Sequence, residues 1–171
     1  TDITDPVAKW AKPADRTWVG ISGRARTLVY SATIDSAELP TSLEELADPK
    51  WKGKTGWAPT NSSFQAMVTG MRVLWGEDKT KTWLQNMLKN EPIVYPKNTP
   101  QVVAAASEEI NIGLVNHYYL HRFVAEEGDT FNARNLYLSN GGPGSLVMVS
   151  GAGILNTAPN KKNAEKFLKF M

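Results

Sequence analysis

Asn111-Ile112-Gly113-Leu114-Val115-Asn116-His117-Tyr118-Tyr119-Leu120-His121-Arg122 is the stretch whose reading decides the fold. It reads as a buried strand over 110–115 that runs into two adjacent tyrosines and then into a helix. Adjacent side chains on a regular helix diverge by about 100°. Two phenols that must converge on one object therefore sit best at a strand-to-helix junction, where the backbone changes direction. A phenol has an unperturbed pKa near ~10, and a highly charged cation can displace its proton. Phenolate oxygens at Tyr118 and Tyr119 would suit a hard cation, ferric iron above all. Half-buried aromatics with solvated hydroxyls, the common state of tyrosine, also account for the dipeptide taken alone.

Outward from this stretch, strands and helices alternate. Upstream lie an alanine-rich helix from Gln101 to Glu109, with Thr99 as its expected N-cap and Pro100 at its first position, and a short strand Ile93-Val94-Tyr95. An amphipathic helix over 79–90 pairs Trp83 with Met87 and Leu84 with Leu88 at i,i+4 spacing. A strand from Thr55 to Pro59 enters Thr60-Asn61-Ser62-Ser63, directly before the helical run 64–75. Those small polar residues cap the helix; the same free N–H groups and dipole also make an anion site. A helix over 39–47 is expected, with Thr41 or Ser42 as cap and Glu44 and Glu45 in its first turn. Two β-rich runs, 18–23 and 27–30, flank Arg24-Ala25-Arg26. Strand alternation puts both arginines on one face, where guanidinium suits an oxyanion. Downstream come a helix ended by Gly128, strands at 133–138 and 145–150, and a last helix from Asn160. The class is α/β.

Composition narrows the function. The 171 residues suffice for a sizeable core. With 42% apolar and 21% charged residues the chain has the balance of an ordinary globular protein. The net charge is only +2 with the basic residues dispersed, so there is no nucleic-acid footprint. Cysteine is absent, which excludes thiolate metal sites, thiol nucleophiles and disulfides. No apolar run is long enough to span a bilayer. Thr1-Asp2-Ile3 is neither a leader nor a natural start, and the sequence stops inside an amphipathic helix. A piece of a longer chain is the expectation.

Other chemistries have little support. His117 and His121 stand four apart, the spacing of a helical zinc pair, but no HExxH-type glutamate accompanies them. There is no GxSxG elbow, P-loop or dinucleotide fingerprint. Glu108-Glu109 and Glu126-Glu127 are sequence neighbours and make no convergent acid–base pair. By contrast, Ser22-Gly23-Arg24, Asn61-Ser62-Ser63, Lys97-Asn98-Thr99 and Asn116-His117-Tyr118-Tyr119 are all expected at strand exits, where open α/β sheets bind ligands. Together they would form one polar pocket for an anion beside a hard cation.

Five segments, at 18–30, 58–64, 97–99, 116–119 and 143–155, carry a resemblance. In order and spacing they are similar to the periplasmic ferric-ion-binding proteins, the transferrin-like receptors of bacterial iron ABC transporters. The resemblance implies a periplasmic-binding-protein-like fold of type II, two α/β lobes joined by crossing strands. This chain would hold mainly the second lobe (28–138), with both crossing strands and parts of the first lobe at 1–27 and 139–171. Tyr118 and Tyr119 match the tandem tyrosines that coordinate Fe(3+). Asn61, Ser62 and Ser63 match the triplet that holds the synergistic anion, phosphate or carbonate; Asn98, Asn116 and Arg24 match further anion contacts. The triplet departs from the serine-glycine-alanine form of phosphate binders. A third tyrosine, used near it by related members, is missing here. The first lobe's histidine and carboxylate ligands would lie upstream, so this piece should hold iron less tightly than a whole receptor.

The implied role is that of a monomeric, non-enzymatic receptor, periplasmic or lipid-anchored in a Gram-positive bacterium. It would hand iron to a membrane permease. Receptors for phosphate, sulfate or a polyamine, and a phosphate-handling enzyme, are the alternatives.

Overall fold

The computed structural model describes residues 3–138 and 141–171. They divide into two compact units: Ala25–Leu146, and Thr1–Arg24 with Val147–Met171. The expected boundary at 138/139 falls on Ser139, outside the described residues.

In the larger unit the strands are the later part of β1 (Val19–Ser31), β2 (Thr55–Trp57), β3 (Ile93–Val94), β4 (Ile112–Asn116) and β5 (Ala133–Leu136). Their order across the sheet is β3-β2-β4-β1-β5. β2 runs parallel to β3 and β4, and β1 runs antiparallel to β4 and β5. The helices are α1 (Ser62–Trp75), α2 (Glu77–Lys89), α3 (Asn98–Ala106) and α4 (Tyr118–Glu127). Both faces of the sheet are covered. Leu28, Ile112 and Leu114 point into a core with Trp57, Phe64, Met67, Met71, Trp83 and Met87. Their strand neighbours Val29 and Val115 point into a second core with Val102, Ala105, Leu120 and Phe131. Alternate strand residues thus feed opposite cores, as the period of two requires.

Several local expectations shift. The helix expected over 39–47 is a single 3₁₀ turn, Glu44–Ala47. It still shows the reciprocal cap: Ser42 Oγ accepts from Glu45 N–H, and the Glu45 carboxylate accepts from Thr41 N–H and hydroxyl. Those bonds hold the Glu45 carboxyl below its usual pKa range. α3 begins at Asn98, with Lys97 and not Thr99 at the N-cap. Gln101, fully buried, ties α3 to the sheet by accepting from Leu114 N–H at 3.0 Å.

The two expected runs around Arg24-Ala25-Arg26 are one strand, β1. In the smaller unit its early residues pair with β6 (Val147–Ala152). The fit is close at two glycines. A Cβ on Gly20 would meet Val149 at 2.7 Å, and one on Gly23 would meet Val147 at 3.0 Å. This unit also carries α5 (Lys161–Phe170), an amphipathic helix with no buried residue. No helix among the described residues is long and apolar enough to cross a membrane.

Candidate metal and anion site

Because β2, β3 and β4 are parallel, their carboxyl ends share one end of the sheet. The chain passes from β2 outward to β3 and then back beyond β2 to β4. That reversal is a topological switch point, where the crossovers on either side leave a crevice. The segments leaving the three strands start α1, α3 and α4 and carry Asn61-Ser62-Ser63, Asn98, and Asn116 with Tyr118 and Tyr119. β1 runs the other way, so its Arg26 pairs with Asn116 at that same end.

Hydrogen bonds join these residues into one network. Asn61 caps α1, its Oδ1 accepting from Ser63 N–H at 3.0 Å and from the Ser63 hydroxyl at 2.6 Å. Ser63 Oγ accepts in turn from Arg26 Nη1 at 3.2 Å and from Asn98 Nδ2 at 3.3 Å. That uses the whole capacity of a hydroxyl, one proton and two lone pairs. Arg26 Nη1 gives its second proton to Asn116 Oδ1 at 3.0 Å, and Asn116 Nδ2 lies 3.4 Å from the Tyr118 hydroxyl. The Tyr118 and Tyr119 rings stack, 4.5 Å between centroids and 30° between planes. Ser62, the first residue of α1, is exposed.

The electrostatics centre on Arg26, which is only 2% exposed. A guanidinium has five N–H groups, and Nη1 accounts for two of them here. Nε and Nη2 are buried with no hydrogen-bond partner, as is Asn98 Oδ1. Among the described residues no carboxylate pairs with Arg26. Burial pushes its pKa down to about 10, and the charges of Tyr118 and Tyr119 act against that fall. The cation is therefore retained at neutral pH. A buried, unpaired charge is costly unless a counter-charge meets it. An oxyanion against Nε and Nη2 would supply that charge in bidentate geometry, and phenolates on the tyrosines would add to it.

Arg24 is exposed and belongs to the smaller unit. Ser22-Gly23-Arg24 lies inside β1 and not at a strand exit. The guanidinium brought into the network is that of Arg26, whereas the resemblance pointed to Arg24. Strand alternation treats the two alike; the long-range register with Asn116 separates them. His117 also has a role that sequence did not reveal. Its Nδ1 accepts from Ala25 N–H at 3.2 Å, and its ring meets His121 edge-on at 6.2 Å. With that lone pair engaged, and no group of three His, Cys, Asp or Glu side chains among the described residues, a zinc reading of the histidines has no structural support.

Comparison with known proteins gives these features a context. The major ferric iron-binding protein of Neisseria meningitidis serogroup B is 36% identical over 160 residues, 92% of this chain and 48% of that protein. The Fe(3+)-binding periplasmic protein of Serratia marcescens is 33% identical over 162 residues, 94% of this chain and 48% of its own. The chain thus spans about half the length of the curated relatives it matches. Among solved structures, iron-bound HitA from Pseudomonas aeruginosa superposes with a TM-score of 0.90 at 33% identity, over 99% of this chain and 55% of that one. The Trichodesmium protein in complex with iron and citrate gives a TM-score of 0.86 at 27% identity, over 99% and 56%. The α/β fold is that of these two iron-bound proteins. Residues 2–171 match the bacterial extracellular solute-binding protein family, and the chain belongs to it.

Proposed function

We propose that this chain binds ferric iron through the phenolates of Tyr118 and Tyr119, together with a synergistic anion, phosphate or carbonate. Arg26, Asn61, Ser62, Ser63, Asn98 and Asn116 would hold the anion; Arg24, the arginine matched by resemblance, is left exposed by the fold. The observation that carries this reading is the buried Arg26 fork, Nε and Nη2 without partners, in the electrostatic reach of two stacked phenols. The cation is compensated when an oxyanion docks on the fork, and the phenol protons leave when a trivalent metal binds. Anion and metal then stabilise each other. Relatives named for ferric iron, one of them periplasmic, support the wider reading that the chain belongs to a periplasmic receptor delivering its cargo to the permease of an iron ABC transporter.

Coupling between metal and anion is the test. After loading with ferric nitrilotriacetate and gel filtration, the chain is expected to retain iron when phosphate or bicarbonate is present and to lose most of it in an anion without oxygen donors, such as chloride. Equal retention in all three buffers would remove the anion from the proposal.

A further inference from the structure

The tyrosine-bearing helix starts abruptly. Asn116 ends β4, His117 already has helical torsions (φ −54°, ψ −36°), and no side chain caps the new helix. Such a turn breaks the ladder between β1 and β4 one pair beyond Arg26 and Asn116. His117 N–H still donates to Ala25 O at 3.0 Å, as an antiparallel pair would. Its carbonyl has swung away and accepts instead from Asn135 Nδ2 at 2.8 Å. Ala25 N–H, partly buried, would be stranded by that swing, which is unfavourable for a backbone donor. The imidazole prevents this, since Nδ1 takes the place of the missing carbonyl at 3.2 Å. The same ring then stands edge-on to Tyr118, 5.6 Å between centroids and 86° between planes. Tyr118 is 38% exposed, so it depends on such neighbours for a fixed orientation.

We propose that His117 is a positioning residue for the metal. By clasping Ala25 through both its backbone and its ring, it lets β4 become α4 at one residue and so sets the two phenols side by side. This inference rests on the ferric reading of Tyr118 and Tyr119. Residues that hold a metal ligand in place without touching the metal typically contribute roughly 10–100-fold to affinity. An asparagine amide oxygen can stand where Nδ1 does, whereas phenylalanine keeps a ring and loses the acceptor.

The experiment compares wild type with His117→Ala, His117→Asn and His117→Phe. Each is loaded with ferric nitrilotriacetate in bicarbonate, then titrated with citrate, and the tyrosinate-to-iron charge-transfer band is followed. Unfolding midpoints are recorded alongside. The expected result is a loss of roughly 10–100-fold for His117→Ala and His117→Phe, with a displaced band at iron saturation. His117→Asn should restore both affinity and band position. A destabilised variant that still gives the wild-type band at saturation would show a merely structural role and overturn the proposal. So would His117→Ala binding iron as wild type does, or His117→Asn being as weak as His117→Ala. A wild type without any charge-transfer band would overturn the ferric reading itself, and this inference with it.

Discussion

Replacing Tyr118 and Tyr119 together by phenylalanine is expected to abolish retention of ferric iron while leaving the chain folded. The substitutions remove two hydroxyls and no ring. The stacked pair, 4.5 Å apart, and the packing of α4 against the second core through Leu120 survive. What goes is the pair of hydroxyls proposed as the hard donors to the metal. Losing both proposed metal-ligating oxygens should cost more than the roughly 10–100-fold expected of a residue that only positions a ligand. Competition against citrate, with circular dichroism as the check on folding, measures this. The single variants should each show an intermediate loss, because one phenolate remains. A double variant that competes for iron as well as wild type does would move the metal elsewhere.

The second large effect concerns Arg26→Met. Methionine fills the buried space without a charge, and exchanging a buried ion for an apolar group of similar volume is often neutral or stabilising by about 1–4 kcal/mol. Against that gain, Asn116 Oδ1 loses its donor, and an unsatisfied buried acceptor costs about 1–3 kcal/mol. Ser63 Oγ keeps its bonds to Asn61 and Asn98. The two terms nearly cancel, so the unliganded variant should unfold close to wild type. Its response to anion should differ sharply. Wild type is expected to gain about 2.7 kcal/mol at an anion concentration a hundred times its Kd, and Arg26→Met essentially nothing. Urea unfolding with and without phosphate or bicarbonate reads both numbers. An Arg26→Met variant that keeps the full anion response would place the anion away from the fork. Arg24→Met, at an exposed position of the other unit, is the natural companion.

Much of this site was legible before any coordinates. Small polar residues at 60–63 before a helical run announce a cap, and one of them, Asn61, caps α1, which starts at Ser62 and not at 64. Tandem tyrosines after a buried strand announce a junction, and α4 starts at Tyr118. These are local signals, set by which backbone groups a short polar side chain can reach. The arginine was less legible, because alternation puts Arg24 and Arg26 on one face and only the pairing of Arg26 with Asn116, ninety residues away, distinguishes them. The continuity of β1 was hidden for a related reason. Gly20 and Gly23 look like interruptions, yet they are where the valines of β6 pack closely on β1. His117 was hidden most completely. Nothing local marks a histidine whose Nδ1 replaces a backbone carbonyl in a ladder formed with Ala25.

The most direct measurement is a visible absorption titration of the wild-type chain with ferric nitrilotriacetate, run in phosphate and again in bicarbonate. A tyrosinate-to-iron charge-transfer band is predicted in both, saturating at one iron per chain and differing in position between the two anions. No band in either buffer, from protein shown by circular dichroism to be folded, would contradict phenolate coordination at Tyr118 and Tyr119.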